Sequence, residues 1–205
     1  MVTYARPREL VAEGGTGRAR SRTSAQRWTS STAIGAALLK RARAVTVATI
    51  RQEATPDRSL KASLIPVPIY AIGVTLYRTA ELGCSVSTQP DLDAAVVEAA
   101  VAAATDRRFP RIPAREWRKI RVVVSVLYQP RGIGPCRKAT AARHVRLGRD
   151  SVMVSKGTRR ALFLDYVATQ QSWTRLQLVS ALLRKAGLRD AAVQWTLLRT
   201  VSWPP

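Results

Sequence analysis

The sequence predicts an α+β fold built on an antiparallel β-sheet with flanking helices. Three observations predict it. Hydrophobic residues make up 46% of 205 residues, enough for a substantial core. Three segments carry helical periodicity: Thr32–Arg51, the stretch after Asp91, and Trp173–Ala186. Between them the strand-like runs follow one another too closely for parallel crossovers, which need a dozen or more connecting residues.

Met1 to Ser31 lacks periodicity, is broken by Gly14, Gly15 and Gly17, and carries Arg18, Arg20, Arg22 and Arg27. It reads as a loosely ordered basic arm, with the domain occupying 32–205. In the helix of Thr32–Arg51, Ile34, Leu38, Val45 and Ala48 share a face. Lys40, Arg41, Arg43 and Arg51 are expected off it, and Ser30, Ser31 or Thr32 can cap the start. Glu53–Lys61 is a polar linker, and Pro66 and Pro68 hold the chain extended. Ile69–Tyr77 and Leu82–Ser87 form an antiparallel hairpin across the short turn Arg78–Glu81.

Thr88 or Gln89 is placed at the next helix cap, with Pro90 in the first turn and Asp91 complementing the dipole. Leu92, Ala95, Val96, Ala99, Ala100 and Ala103 make its apolar stripe, and Asp106–Pro113 leaves it. Arg121–Tyr128 is the strongest strand, apolar on both faces and so central, and Gln129–Gly132 is expected to end it. Lys138–Val145 is a short helix, and Ser151–Ser155 and Arg159–Leu164 form a second hairpin turning at Gly157. Ser172 caps a last helix that buries Trp173, Leu176, Val179, Leu182 and Leu183 and stops at Gly187. Gln194–Trp203 is a last strand.

Formal net charge is +21, from 34 Lys and Arg against 13 Asp and Glu, so an anionic partner is one reading. The arginines are scattered, no block of five like charges occurs, and aromatics are only 6%, which leaves a specific nucleic-acid motif without support. Two cysteines, Cys84 and Cys136, and the single His144 do not make a zinc site or a disulfide scaffold. No metal is expected, and no cofactor is indicated. Without a membrane-length apolar run or a signal core, the expected location is cytoplasmic, with no membrane contact.

The order of these pieces resembles the AMMECR domain family, over about Ala36 to Trp203. Gly73–Leu76 is similar to its first strand, and Glu81-Leu-Gly-Cys84 to its Leu-Arg-Gly-Cys-Ile-Gly signature. Ala103–Pro110 is similar to its helix end and Asp-Pro-Arg-Phe-Pro, and Val123–Leu127 to its central strand. Gly157–Leu164 and Leu183–Leu188 are similar to its late hairpin and last helix. The signature arginine between Leu82 and Gly83 is absent, Ser85 and Val86 stand for isoleucine and glycine, and Arg107 and Asp165 each stand for a proline. The resemblance implies an antiparallel α+β fold with a smaller lobe. It also implies association with a Memo-type dioxygenase-like protein or a radical SAM protein.

Cys84 is the candidate reactive residue, expected near a helix N-terminus that would favour a thiolate. Glu81 is the candidate acid/base. Arg108, Ser85 and Thr88 are candidate ligand-binding residues. His144 is expected at the surface; Trp117, Trp173, Trp195 and Trp203 are expected to pack. Three readings follow. The first is an accessory binding module with a shallow site formed by the Cys84–Gln89 loop and the Asp106–Pro110 turn. The second is a basic nucleic-acid-binding protein, and the third a thiol-dependent enzyme using Cys84.

Overall fold

The computed structural model describes residues 28–57 and 59–204. Helix α1 is Thr32–Arg51, with Ser31 at the N-cap accepting the Ile34 N–H at 3.4 Å and Gln52 closing the other end at φ 60°. Of the basic arm, residues 1–27 lie outside the described residues. Trp28 is buried, and its ring lies 6.1 Å from that of Trp203. Gly35 makes room for Trp203, since a Cβ there would meet the indole Cδ1 at 2.2 Å.

Strands β1 (Ile69–Tyr77) and β2 (Glu81–Ser87) form the first hairpin, and α2 (Leu92–Ala104) packs against both strands and against α1. The α2 stripe is as the periodicity predicts: Leu92, Ala95, Val96, Ala99, Ala100 and Ala103 are all buried. Its cap is Asp91 rather than Thr88 or Gln89: the carboxylate accepts the Ala94 N–H at 2.8 Å, and Pro90 lies outside the helix.

Arg41 was expected off the α1 face, yet it is only 8% exposed. Its Nε and Nη2 donate to the two oxygens of Asp93 at 2.8 and 2.7 Å, and Nη1 donates to Pro56 O at 2.6 Å. Asp93 also accepts the Leu60 N–H at 2.9 Å. Burial opposes ionisation of Asp93, but these hydrogen bonds outweigh it and hold the carboxyl below its usual range. One ion pair therefore ties α1, α2 and the linker together.

Strand β3 is Arg121–Cys136, entered from a 3-10 turn at Ala114–Lys119. It does not stop at Gln129–Gly132. Reversals at Gln129 (φ 49°) and Gly134 (φ 80°) absorb the irregularity, as bulges do, and pairing runs on to Cys136. Cys136 O accepts the Trp195 indole N–H at 2.9 Å.

Helix α3 (Lys138–His144) leads to β4 (Asp150–Lys156) and β5 (Arg159–Phe163), which pair antiparallel. Two helices follow where one was expected: α4 (Asp165–Gln170), then α5 (Arg175–Lys185). Thr174 and Gln177 form a capping box on α5, displacing the predicted Ser172 cap. Leu178 is buried there, whereas Leu176, in the first turn, stays 48% exposed. Strand β6 is Val193–Trp203 and pairs with β4 antiparallel.

The sheet is six-stranded and antiparallel, in the order β2-β1-β3-β6-β4-β5, so the fold is α+β as predicted. The chain divides into two compact units. One runs to Val126 and takes up the segment from Val201; the other is Leu127–Thr200. The core of the second gathers Val152, Val154, Val179, Leu182 and Trp195. Among the described residues no helix is long and apolar enough to cross a membrane.

Candidate functional site

Strand β2 is an edge strand, so one side of its backbone lacks a strand neighbour. At Cys84 that side is occupied by side chains. The Cys84 N–H donates to Asp106 Oδ2 at 3.3 Å, and Arg108 Nη2 donates to Cys84 O at 2.9 Å. Arg108 and Asp106 are themselves joined: Nε lies 2.9 Å from Oδ1 and Nη2 lies 2.5 Å from Oδ2. The pair thus covers both the donor and the acceptor of one residue, as a neighbouring strand would.

The clasp is placed by α2. Its last turn ends at Ala104, and Asp106 and Arg108 follow at once. Gly83 lets the helix end come this close, for a Cβ there would lie 2.0 Å from Ala103 O. On the other side of β2, Cys84 pairs with Thr75 of β1, and the buried Thr75 hydroxyl donates to Cys84 Sγ at 3.4 Å.

Burial opposes the charge on Asp106. Hydrogen bonds from the Arg108 side chain and backbone and from the Cys84 N–H overcome it, so the carboxyl is held below its usual range. The Arg108 guanidinium is held more firmly protonated, first by its hydrogen bond to Asp106, with smaller contributions from Cys84 and Glu81. It also lies 5.5 Å from the Phe109 ring centre, and its side chain remains 59% exposed.

Cys84, Glu81 and Arg108 therefore come together. Glu81 begins β2 opposite Tyr77, and Leu82 is the unpaired residue of a bulge between them and the Leu76–Gly83 pair. Ser85 does not join them. Strand alternation puts Ser85 on the side of Gly83 and Ser87, and the Ser87 hydroxyl meets Glu98 of α2 at 2.6 Å. Thr88 lies beyond the far end of β2, in the link to α2. The expected Cys84–Gln89 loop is strand up to Ser87.

The helix end beside Cys84 is the C-terminal one, not the N-terminal one expected. Its negative pole does not favour a thiolate, so a dipole-activated cysteine is not what this packing provides.

A family model described as AMMECR1 matches residues 32–201. The chain belongs to the AMMECR1 family. The crystal structure of an uncharacterized protein from Pyrococcus horikoshii superposes with a TM-score of 0.74 at 26% identity, covering 86% of this chain and 93% of that one. A protein of Methanocella arvoryzae is 35% identical over 102 residues, 49% of this chain and 51% of the relative. One from Thermofilum pendens is 36% identical over 113 residues, 54% of this chain and 53% of its own. The chain thus matches about half the length of these curated relatives, whose names state no activity.

Within the AMMECR1 domain, sequence reasoning set the Asp106–Pro110 turn beside the Cys84 stretch but did not name Asp106 as a site residue, and it missed Thr75. The signal for Asp106 was its spacing of two from Arg108. The signal for Thr75 was the hairpin register, which sets it opposite Cys84. His144 is exposed and ends α3 in the second unit, whereas Cys84 belongs to the first. Among the described residues no group of three His, Cys, Asp or Glu side chains is placed to hold a metal ion.

Proposed function

We propose that this AMMECR1-family protein is a cytoplasmic accessory module that docks a partner enzyme at the Cys84 patch rather than turning over a substrate there. The supporting observation is the use made of Asp106. It accepts from Arg108 and from the Cys84 amide and is kept ionised below the usual carboxylate range. A carboxylate so engaged braces the strand; it is a poor general base at neutral pH. Arg108, more than half exposed, supplies the charged contact at the rim. The family resemblance points to a radical SAM protein or a Memo-type protein as the partner. Binding of each to the full chain is measured by light scattering and interferometry. Arg108→Ala and Cys84→Ala are expected to weaken one of these complexes at least about tenfold, about 1.4 kcal/mol; undiminished binding by both variants removes the proposal.

A second reading, a thiol-dependent enzyme, draws support from the Thr75 hydroxyl that donates to Cys84 Sγ, since a donor favours the charged form of its acceptor. Alkylation rate against pH tests it: a midpoint at or above the ordinary value of about 8.5 argues against an activated thiol. The net charge of +21 supports a nucleic-acid reading, for which affinity must fall steeply with salt.

A further inference from the structure

The second unit has a cleft of its own, about 470 Å³, between the β4–β5 turn and the segment that joins α5 to β6. That volume is in the range of small-molecule sites. Its rim carries Lys156, Arg159 and Arg189, Thr158 lines it with them, and among the described residues no carboxylate does. Arg159 Nη1 donates to Gly187 O at 2.9 Å, which fixes the hairpin to the opposite wall without neutralising the guanidinium. Among the described residues neither the Lys156 ammonium nor the Arg189 guanidinium forms a hydrogen bond or ion pair. Asp190, next in the chain, is engaged instead by Lys138, whose Nζ lies 3.5 Å away.

Two glycines keep the walls open. Gly157 (φ 58°) takes the first turn position of the hairpin and Gly187 (φ 65°) ends α5. Both conformations favour glycine, and neither has a neighbour within 4 Å of where a Cβ would stand. The floor is apolar: Leu188 is half-buried and Val193 is 2% exposed.

We propose that this cleft binds a small phosphomonoester with an apolar body. Cations without an ion-pair partner among the described residues, clustered around a concavity, call for a group of about two negative charges; a phosphate monoester carries that charge and accepts from arginine in a forked geometry. The Leu188 and Val193 floor takes the rest of the molecule. A nucleic-acid strand suits the cleft less well, because none of the lining residues is an aromatic platform for bases and the cations ring a hollow rather than track a line.

The test titrates the full chain with phenyl phosphate, inorganic phosphate and a ten-nucleotide oligouridine, followed by amide NMR shifts. Phenyl phosphate is expected to saturate, to shift the amides of residues 156–159 and 187–193, and to bind more tightly than inorganic phosphate. Lys156→Ser with Arg189→Ser, which leaves the Arg159 link intact, is expected to weaken it about tenfold. Arg175→Ser, an exposed cation of α5 outside the lining, is expected to change nothing. No saturable shift, equal binding of inorganic phosphate, tighter binding of oligouridine at the same residues, or an unaffected double variant would each overturn the assignment.

Discussion

Gly83→Ala is the sharpest probe of the Cys84 site, because it adds one methyl where β2 presses on the end of α2. The new Cβ would stand 2.0 Å from Ala103 O and 3.0 Å from its carbonyl carbon. A carbon and a carbonyl oxygen tolerate about 3.3 Å, so strand and helix end must separate by roughly 1 Å. Both atoms in conflict are backbone, so no rotamer change relieves it. The Cys84 N–H bond to Asp106 is already 3.3 Å long and does not survive such a shift. Overpacking costs about 1–3 kcal/mol and a hydrogen bond to a charged group about 1.5–3 kcal/mol, so about 2.5–6 kcal/mol in total is expected. For a chain of this size that lowers the melting temperature by roughly 5–24 °C. Thermal unfolding followed by circular dichroism reads it. In a Cys136→Ser background, Cys84 should also react faster with a disulfide reagent, because the strand is released. A melting temperature within about 2 °C of the parent and an unchanged thiol rate would refute the close approach of β2 to the α2 terminus.

Three further outcomes follow from ionisable groups. Asp93→Ala leaves the 8%-exposed Arg41 without its carboxylate and should cost about 3–5 kcal/mol in urea unfolding, while Arg41→Met with Asp93→Leu should recover much of that. Asp106 has a folded-state pKa below its ordinary 3.8, so its contribution is present above that pH and is lost as pH falls through the depressed value. Asp106→Asn should be less stable near pH 7 and show a flatter acid limb in denaturant melts at stepped pH. Asp165 has the opposite sign: burial comes first among its causes and raises its pKa above 3.8, so its effect on stability turns unfavourable as pH rises. Asp165→Asn should be more stable than the parent at pH 7, with the gain gone below about pH 3.8; a gain that persists in acid would contradict the sign.

Elements governed by local chemistry were legible. The bounds of α1 and β1, the α2 stripe and the Gly157 turn follow from periodicity, β-branching and glycine, each within a dozen residues of chain. Arg41 was misplaced because its partner is 52 residues away: a charge looks like a surface residue until Asp93 is brought to it. The end of β3 was misplaced because proline and glycine do end strands, except where φ reversals at Gln129 and Gly134 let pairing resume.

The surroundings of Cys84 are an intermediate case, since simple lengths contain part of the answer. Strand β2 has 7 residues and so runs about 23 Å; α2 has 13 and runs about 20 Å. The link Thr88–Asp91 is too short to carry the chain anywhere but back, so a helix packed on the strand that precedes it must return antiparallel. Its N-terminus then lies by Ser87 and its C-terminus comes back to the start of the strand, where Gly83 meets Ala103 and Cys84 meets Asp106. Reading the cysteine by its sequence distance to the next helix start put it at the wrong pole. Reading it by the matched lengths puts it beside the helix exit, where an Asp-x-Arg pair stands ready to brace an edge strand. What lengths do not supply is the choice of partner atoms. That depends on Gly83 having no side chain, and on a bulge at Leu82 that sets which side of β2 each following residue takes.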